Sequence, residues 1–415
     1  MRRYYALRSF INRKNAIKLI GLVLAVGICI FNFMPSMRSI RALPTAVFAE
    51  NEEDLRAIIS EFSNNGGYET TVSDIRSETL SEKQISIRLL GVFNLKTIPV
   101  YLSKRSSVHP CGDAIGISIR TKGLLVVGNG SILNRDGKKC TPSADAGLRP
   151  GDIIMSVNDI EVNTSSELQR AIDLSSGTTT LTIERNAKLQ TINVVPVIAS
   201  DGSLKIGAWV RDSTVGIGTL SFYDPQSGYA TALGHAVIDM DTGKIIKVRN
   251  GEMRKADVIG IKKGKAGTPG ELQGSFDSGY EMVSSIQEND ELGIRGYLTE
   301  SMMNEASDYI LPVAFPDEVK KGKAYILSTI GESGVKRYSC NIVKVIAQSE
   351  PDQKGMIIEI TDENLLDRAG GIVQGMSGSP IIQDGKLIGV TTHVFVNDPT
   401  KGYAVYAYWM MDRNG

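Results

Sequence analysis

Cysteine and histidine, two common metal ligands, are scarce in this sequence. It has 4 cysteines and 3 histidines among 415 residues, and no Cys-x-x-Cys or His-Glu-x-x-His pattern. These patterns are common local signatures of a metal site. Without them a metal site has little support, so we expect no metal and no cofactor. Cys111 and Cys140 could pair outside the cytoplasm, where disulfides persist. Two unpaired thiols are an equally good interpretation of these two positions.

An excess of either charge is also missing, since Lys+Arg and Asp+Glu both number 46. Nucleic-acid-binding proteins usually carry a basic excess, so this balance argues against a nucleic-acid partner. Long helical periods are nearly absent after residue 199, whereas glycine is abundant, with 42 residues. Short apolar runs separated by turn residues predict a mainly β chain, and the length suits two or three domains.

One uncharged apolar run, Leu19–Met34, approaches the length of a membrane span. Basic residues are more frequent before this run than after it, which predicts a cytoplasmic N-terminus (1–18), a transmembrane signal anchor (19–34) and an exported remainder. A cleaved signal peptide is the alternative, with a small-residue site at Val47–Ala49. We favour the anchor, because the apolar core of a signal peptide is usually shorter and that site lies far beyond the run.

Residues 35–104 are predicted to be a linker and a small N-terminal region. Within it, one helical face is formed by Leu55, Ile58, Ile59 and Phe62.

Residues 105–198 combine a tight Gly-Leu-Arg-Pro-Gly-Asp turn (147–152), short strands, and a helix that begins with a Thr164/Glu167 capping box. This order resembles a PDZ domain. PDZ domains bind the ends of extended peptides by adding a strand to a sheet edge. The resemblance implies a peptide-binding loop at Gly116, Ile117, Ser118 and Ile119, where Ser118 replaces the glycine of many such loops.

Residues 199–415 consist of short strands that suit a pair of packed β-barrels. The segment Gly375–Pro380, followed by a hairpin, resembles the serine segment of trypsin-like proteases. Ser377 is the predicted nucleophile, and the N–H groups of Gly375 and Ser377 are predicted to form the oxyanion hole. Met376 and Ser379 depart from the usual motif without removing the hydroxyl or these donors.

The predicted general base is His235, which precedes the serine as the base does in trypsin-like proteases. The residue that orients it stays open at this level, with Asp239, Asp241, Asp277 and Asp362 as candidates. His393, which follows the serine hairpin, is expected to line the substrate cleft. The predicted fold class is therefore mainly β, with an N-terminal transmembrane helix, a PDZ domain and a trypsin-like double β-barrel.

Three segments together, Leu233–Ala236, Gly370–Pro380 and Thr392–Pro399, resemble the stage IV sporulation protein B family, the signalling serine peptidases of endospore-forming bacteria. The resemblance implies a triad of His235, Asp362 and Ser377. It also implies export to the space between the forespore membranes, self-cleavage near the N-terminus, and cleavage of a membrane-tethered regulator of an intramembrane protease. That cleavage lets a late sigma factor precursor be processed. The alternative is a non-catalytic, PDZ-bearing secreted adaptor.

Overall fold

The computed structural model describes residues 18, 21–22, 43–66, 69–74, 83–89, 93–304 and 309–411. The predicted anchor, 19–34, lies almost wholly outside these residues. No helix within the described ranges is long and apolar enough to cross a membrane. The chain divides into two compact units, the first up to Arg105 with Ala347–Ser349, and the second comprising 106–346 and the residues from 350 onward.

The first unit is a small sheet with one helix. Its elements are β1 (Val47–Ala49), α1 (Glu52–Gly66), β2 (Glu69–Asp74), β3 (Lys83–Leu89) and β4 (Phe93–Leu102). The strands lie in the order β1-β4-β3-β2, with β1 parallel to β4 and the others antiparallel. The predicted helical face is confirmed, because Leu55 is buried and Ile58, Ile59 and Phe62 pack against the same core.

The second unit begins with the strands that carry the PDZ-like segment. These elements are β5 (Ser107–Pro110), β6 (Ala114–Asn129), β7 (Ile132–Leu133), β8 (Lys139–Cys140), α2 (Pro142–Asp145), β9 (Ile153–Val157), β10 (Ile160–Glu161), α3 (Ser165–Asp173), β11 (Thr179–Arg185), β12 (Lys188–Val194), β13 (Val197–Ile198) and β14 (Leu204–Lys205). The predicted capping box is confirmed: Thr164 Oγ1 accepts from the Glu167 N–H, and the Glu167 carboxylate accepts from the Thr164 N–H.

The remaining elements build two rings of strands. They are β15 (Ala208–Tyr223), β16 (Tyr229–Ala232), β17 (Val248–Lys255), β18 (Asp257–Lys262), β19 (Glu271–Ser275), β20 (Met282–Ile286), β21 (Glu288–Asp290), β22 (Gly293–Tyr297), α4 (Glu300–Asn304), β23 (Leu311–Pro312), a 3₁₀ turn (Pro316–Glu318), β24 (Gly322–Thr329), β25 (Val335–Val345), β26 (Met356–Ile360), α5 (Glu363–Ala369), β27 (Pro380–Gln383), β28 (Lys386–Phe395), β29 (Asp398–Tyr406) and α6 (Ala407–Met410).

The two rings confirm a mainly β fold with barrels. In the first ring, β6, β15, β16 and β22 pair in sequence, and β6 pairs with β17, which pairs with β20. A bridge between Ser284 and Leu298 closes this ring. The second is a closed barrel in the order β24-β25-β26-β29-β28-β27. Apolar residues alternate along many of these strands, so that their side chains point to the inside of each ring and form its core.

The PDZ domain is inserted into the first ring, because strands β6 and β15 belong to both. Residues 114–120 of β6 pair with the second half of β15 inside the ring, whereas 125–129 pair with its first half inside the PDZ domain. Register shifts separate the two paired regions, and Gly123 adopts a positive φ at the bend. The predicted boundary at 198/199 therefore differs from the structure, in which the ring resumes along β15.

The predicted peptide-binding loop, Gly116–Ile119, requires a correction. These residues lie in the middle of β6 and are paired with β15 on one edge and with β17 on the other. A strand with two neighbours uses its backbone N–H groups in the sheet, so none is left for a peptide carboxylate. Gly116 also packs under Phe276, whose ring atoms would lie 2.0 Å from a Cβ at this position.

Cys111 and Cys140 are both free thiols, so the structure contains no pairing between them. Cys111 is buried in the core of the first ring, among apolar side chains of β6 and β15. Cys140 is only half-buried, at the end of the short strand β8. The structure therefore agrees with the interpretation of two unpaired thiols.

Asp152 anchors the PDZ domain through a carboxylate that is only 2% exposed. Arg185 Nε and Nη2 donate to its two oxygens at 2.7 and 2.6 Å. We expect Asp152→Ala to destabilise this domain by about 2 kcal/mol, because the half-buried Arg185 guanidinium loses both of its hydrogen bonds to the carboxylate. Amide exchange of residues 124–194 in the full chain during urea titration measures the loss. Asp201→Ala, which breaks the exposed pair with Lys205, should cost under about 1 kcal/mol; equal losses would contradict the prediction.

Candidate active site

A cleft of about 740 Å³ lies between the two rings and contains both predicted catalytic residues. His235 follows β16 of the first ring, and Ser377 precedes β27 of the second. Each ring therefore contributes one of the two side chains. This is the arrangement that the order of histidine and serine in the sequence predicts.

The turn that carries Ser377 leaves two backbone donors without an acceptor among the described residues: the N–H groups of Gly375 and Ser377. For Gly375 the cause is its peptide plane. The Gln374 carbonyl of that plane accepts from the Leu272 N–H at 2.8 Å, which directs the Gly375 N–H to the opposite side. Gly375 has a φ of 96°, a left-handed conformation that glycine adopts without strain.

The Ser377 N–H is oriented in the same way. The Met376 carbonyl of its peptide plane accepts from the Ser379 N–H at 3.0 Å, which closes a tight turn around the serine. Gly375 and Ser377 are half-buried and both line the cleft. Their two N–H groups are therefore placed as the predicted oxyanion hole requires.

Gly378 lets the serine turn lie directly against the first ring. Its φ is 100°, and a Cβ at this position would lie 2.2 Å from the Thr219 carbonyl oxygen and 2.7 Å from the Leu233 nitrogen. The hydroxyl of Ser377 donates to the Thr392 carbonyl oxygen at 2.7 Å. In this structure the nucleophile's proton is therefore directed at the second ring and not at His235.

His235 reaches the cleft through an unusual turn. Leu233 and Gly234, which precede it, both have positive φ angles of 72° and 71°. The His235 Nδ1 atom lies 2.9 Å from the Ala236 carbonyl oxygen. A carbonyl oxygen only accepts, so the proton sits on Nδ1 and the Nε2 lone pair is available as a base. Burial lowers the pKa of His235, against the smaller raising effect of the Ala236 hydrogen bond.

His393 also lines the cleft, as expected from its place after the serine hairpin. Its ring centroid is 4.9 Å from that of His235, with a tilt of 39° between the planes. Burial, followed by repulsion from His235 and Lys354, lowers the pKa of His393 to about 4. His393 is therefore neutral near pH 7 and adds no charge beside the base.

The structure does not bring Asp362 into the cleft. Asp362 is the N-cap of α5, where one carboxylate oxygen accepts from the Leu365 N–H at 3.1 Å. The other accepts from the Ser339 N–H at 3.3 Å. An aspartate at a strand end suits a helix cap as well as a catalytic role. In this structure the Ala236 carbonyl, not a carboxylate, contacts His235 Nδ1.

The other three candidate aspartates also have partners elsewhere. Asp239 is buried and pairs with Arg211, which also binds Asp241. Asp277 accepts from the Gly279 N–H in an exposed turn. Among the described residues that line the cleft, the single carboxylate is that of Glu291.

A second cavity, of about 350 Å³, lies beside α3 of the PDZ domain. It is lined by helix residues such as Leu168 and by the segment 205–210 at the start of β15. The N–H groups of Ile206 and Gly207 have no acceptor among the described residues. The strand that lines the groove beside the helix is thus formed by residues 208–210, and not by the Gly116–Ile119 segment that the sequence predicted.

Comparison with protein families adds to this geometry. The family described as "SpoIVB peptidase S55" matches residues 202–411, half of the chain. The chain belongs to this family. It is a serine peptidase family, and the matched residues include both His235 and Ser377. A second match, to the PDZ domain family, covers residues 114–195.

Two putative zinc metalloproteases, of Brucella suis and Brucella melitensis, are each 32% identical to the chain over 126 residues. The match covers 29% of this chain and 32% of each relative, so the chain spans about a third of the length of these curated relatives. A solved PDZ domain, from the SdrC-like protein of Listeria monocytogenes, is 21% identical over 21% of this chain and 87% of that chain, with a TM-score of 0.17. Within the described part of this chain, no group of three or more His, Cys, Asp or Glu side chains is arranged to hold a metal ion.

Two contacts in the S55 domain were not predicted from the sequence. Thr219, in β15, binds the serine turn, and the Thr392 carbonyl holds the serine hydroxyl. The first has a weak signal, since threonine and serine alternate with apolar residues at 219–222 of a buried strand. The second has none, because it involves a backbone oxygen that every residue possesses.

The two roles of Asp362 predict different mutational patterns. As a helix cap, Asp362→Ala should cost about 1 kcal/mol of stability, whereas Asp362→Asn should keep both the cap and the peptidase activity. Thermal unfolding and initial cleavage rates measure the two effects. A folded Asp362→Asn variant without activity would instead support the catalytic carboxylate that the family resemblance implies.

Proposed function

We propose that the chain is a serine endopeptidase whose catalytic groups are Ser377, His235 and the N–H groups of Gly375 and Ser377. One observation carries this proposal: in a cleft between two β-rings, a serine hydroxyl and a neutral imidazole accompany two backbone N–H groups that have no acceptor in the described part of the chain. Both N–H groups belong to half-buried residues of the cleft lining, where a ligand can reach them. A peptidase uses them to bind the oxyanion.

In the proposed mechanism, Ser377 Oγ first gives up its hydrogen bond to Thr392 and transfers its proton to His235 Nε2 as it attacks the substrate carbonyl carbon. The carbonyl oxygen becomes an oxyanion held by the Gly375 and Ser377 N–H groups. The C–N bond then breaks, and the leaving amine takes the proton from His235. Water attacks the acyl ester with the same histidine as base, which regenerates Ser377 and releases the new carboxylate.

The cleft favours a peptide with apolar side chains. Its wall includes Val215, Ile238 and Met240, which are 68%, 46% and 87% exposed. Large apolar side chains left exposed beside a reactive centre are typical of binding sites. Glu291 adds one acidic group to the cleft, which would repel an acidic residue of the substrate. We therefore propose that the substrate is an extended, mainly apolar peptide segment without an acidic residue beside the scissile bond.

The biological role follows the family resemblance. We propose a signalling peptidase of spore formation that cleaves itself and a membrane-tethered regulator of an intramembrane protease. We propose that the apolar run 19–34 anchors the chain and that its bulk lies outside the cytoplasm, in the space between the two spore membranes. The charge asymmetry around this run supports that orientation.

The PDZ domain supplies a second proposed contact. A peptide end fits the cavity between α3 and residues 205–210, with its carboxylate at the Ile206 and Gly207 N–H groups. Peptide binding by strand addition is the usual activity of PDZ domains. This groove is also the basis of the competing proposal, a non-catalytic adaptor, in which partner binding would survive every change at Ser377.

We expect Ser377→Ala and His235→Ala to lower peptide cleavage by at least about 10³-fold, since the two groups act as a unit. The full chain is incubated alone and with an apolar peptide set, and fragments are identified by mass spectrometry, with circular dichroism as the test of folding. Ser379→Ala, two residues from the nucleophile and bonded to Ser328, is the matched control and should stay active. Equal cleavage by Ser377→Ala and wild type would favour the adaptor.

The pH profile tests the base. His235 acts only when it is neutral, and burial lowers its pKa from the ordinary 6.5. Activity should therefore be full at neutral pH, persist below pH 6.5 and then fall with a slope of one as His235 is protonated. The profile of kcat/KM measures this. His109→Gln, which changes the histidine outside the cleft, should leave the acidic limb in place. An acidic limb centred above pH 7 would exclude the buried His235 as the base.

A further inference from the structure

We propose that Thr219 is a positioning residue that holds the oxyanion hole in its active geometry, an inference that rests on the proposed peptidase function. Thr219 lies in β15 of the first ring and is 1% exposed. It does not line the cleft, and no part of the sequence pattern around it resembles a protease motif. Its role arises from two hydrogen bonds to the serine turn of the other ring.

Both bonds run from Thr219 to backbone carbonyls of the turn. The Thr219 hydroxyl donates to the Gly375 carbonyl oxygen at 2.8 Å. The Thr219 N–H donates to the Ser377 carbonyl oxygen at 3.1 Å. The same two residues, Gly375 and Ser377, supply the unpaired N–H groups. One residue of the first ring therefore binds the carbonyls of both residues whose N–H groups form the proposed oxyanion hole.

The peptide planes explain how this contact acts on the donors. The Gly375 carbonyl shares a plane with the Met376 N–H, which donates to Val373 at 3.1 Å. The Ser377 carbonyl shares a plane with the Gly378 N–H, which donates to Thr391 at 2.8 Å. These two planes flank the plane that contains the Ser377 N–H. Because a peptide plane is rigid, fixing both neighbours leaves the Ser377 N–H no freedom to rotate away from the cleft.

The hydroxyl is the contact that a substitution can remove selectively. Within the described residues it is the one side-chain donor to a carbonyl of 374–378, since the turn's other bonds involve backbone N–H groups. Thr219 itself is buried, so the lost donor is not replaced from its side. Without it the plane of the Gly375 carbonyl keeps, among the described residues, only the bond from the Met376 N–H to Val373. The next plane, which carries the Ser377 N–H, then gains freedom to rotate. Displacement of a catalytic group by about 1 Å is enough to lower a rate by about 10²-fold.

The affected step is the formation of the oxyanion and not the binding of substrate. Interactions that form only in the transition state change kcat, whereas those shared with the ground state change KM. A purely structural role of Thr219 would lower the fraction of folded enzyme and leave both constants of the folded fraction unchanged. The two roles therefore predict different kinetics.

The test compares Thr219→Val, Thr219→Cys and Thr219→Ser in the full chain. Valine keeps the shape and the backbone N–H but removes the hydroxyl, cysteine is a weak donor, and serine restores the bond. We expect kcat to fall by about tenfold to a hundredfold in the valine variant, less in the cysteine variant, and to recover in the serine variant, with KM unchanged. The inhibition constant of a peptide boronate, which places an oxygen in the oxyanion hole, should rise in parallel with the loss of kcat.

Thr231→Val is the matched control. Thr231 lies in the neighbouring strand β16 and is equally buried, and its hydroxyl has no hydrogen-bond partner among the residues that the structure describes. Its loss should therefore leave kcat and the boronate inhibition constant unchanged. If valine does not fold, the cysteine variant carries the test. Wild-type kinetics in a folded Thr219→Val or Thr219→Cys variant, together with an inactive Ser377→Ala, would overturn the role of Thr219 while sparing the peptidase function. Activity that survives in Ser377→Ala would overturn the peptidase function itself.

Discussion

Strand β15 is the constraint on which the rest of the structure depends. Its continuous backbone contributes to the PDZ groove, to the cleft and to the support of the serine turn. Residues 208–210 line the PDZ groove, 214–217 form a wall of the cleft, and Thr219 binds the serine turn. A strand rises about 3.3 Å per residue and resists stretching, so the spacing between groove, cleft and turn is set by the chain itself. The strand is paired with β6 along most of its length, which stiffens it further.

The loop that follows His235 is held by contacts to the PDZ side of the molecule. Arg211, at the PDZ end of β15, pairs with Asp239 and Asp241 of this loop. Further along, the Lys244 ammonium donates to the Gly151 carbonyl of the PDZ turn at 2.6 Å. Lys247 pairs with Glu184 of β11 at 2.5 Å. The predicted base is thus positioned partly by the inserted domain, whereas the turn of the predicted nucleophile is bonded to the first ring through Thr219.

The sequence predicted those features that depend on residues close together in the chain. The alternation of apolar residues predicted the barrels, the Thr164/Glu167 pair predicted a helix cap, and the glycine-rich serine turn predicted a serine on the lining of the cleft. The insertion of the PDZ domain could not be predicted, because β6 and β15 pair across a long stretch of chain. An alternating strand looks the same whether its second edge is open or paired, which is why the Gly116–Ile119 segment resembled a peptide-binding loop.

For the same reason, the sequence could not identify which aspartate, if any, contacts His235. Aspartate at the end of a strand satisfies either a histidine or a helix N-terminus, and only the three-dimensional partners decide between them. Asp362 binds the Leu365 and Ser339 N–H groups, two contacts that a sequence does not reveal. Thr219 is a comparable case, since its importance comes from carbonyl oxygens more than a hundred residues away in the chain.

A neutral acceptor behind His235 has energetic consequences for the site. The Ala236 carbonyl fixes the same tautomer that a carboxylate would fix, but it stabilises the imidazolium less, and burial disfavours the cation further. In the proposed mechanism, more of the transition-state stabilisation then comes from the oxyanion hole, whose two donors have no acceptor in the described part of the chain. The serine hydroxyl differs from its reactive orientation by one bond, to the Thr392 carbonyl. Because such a bond is worth only about 1 kcal/mol net, a substrate that displaces it needs little of its binding energy to start the reaction.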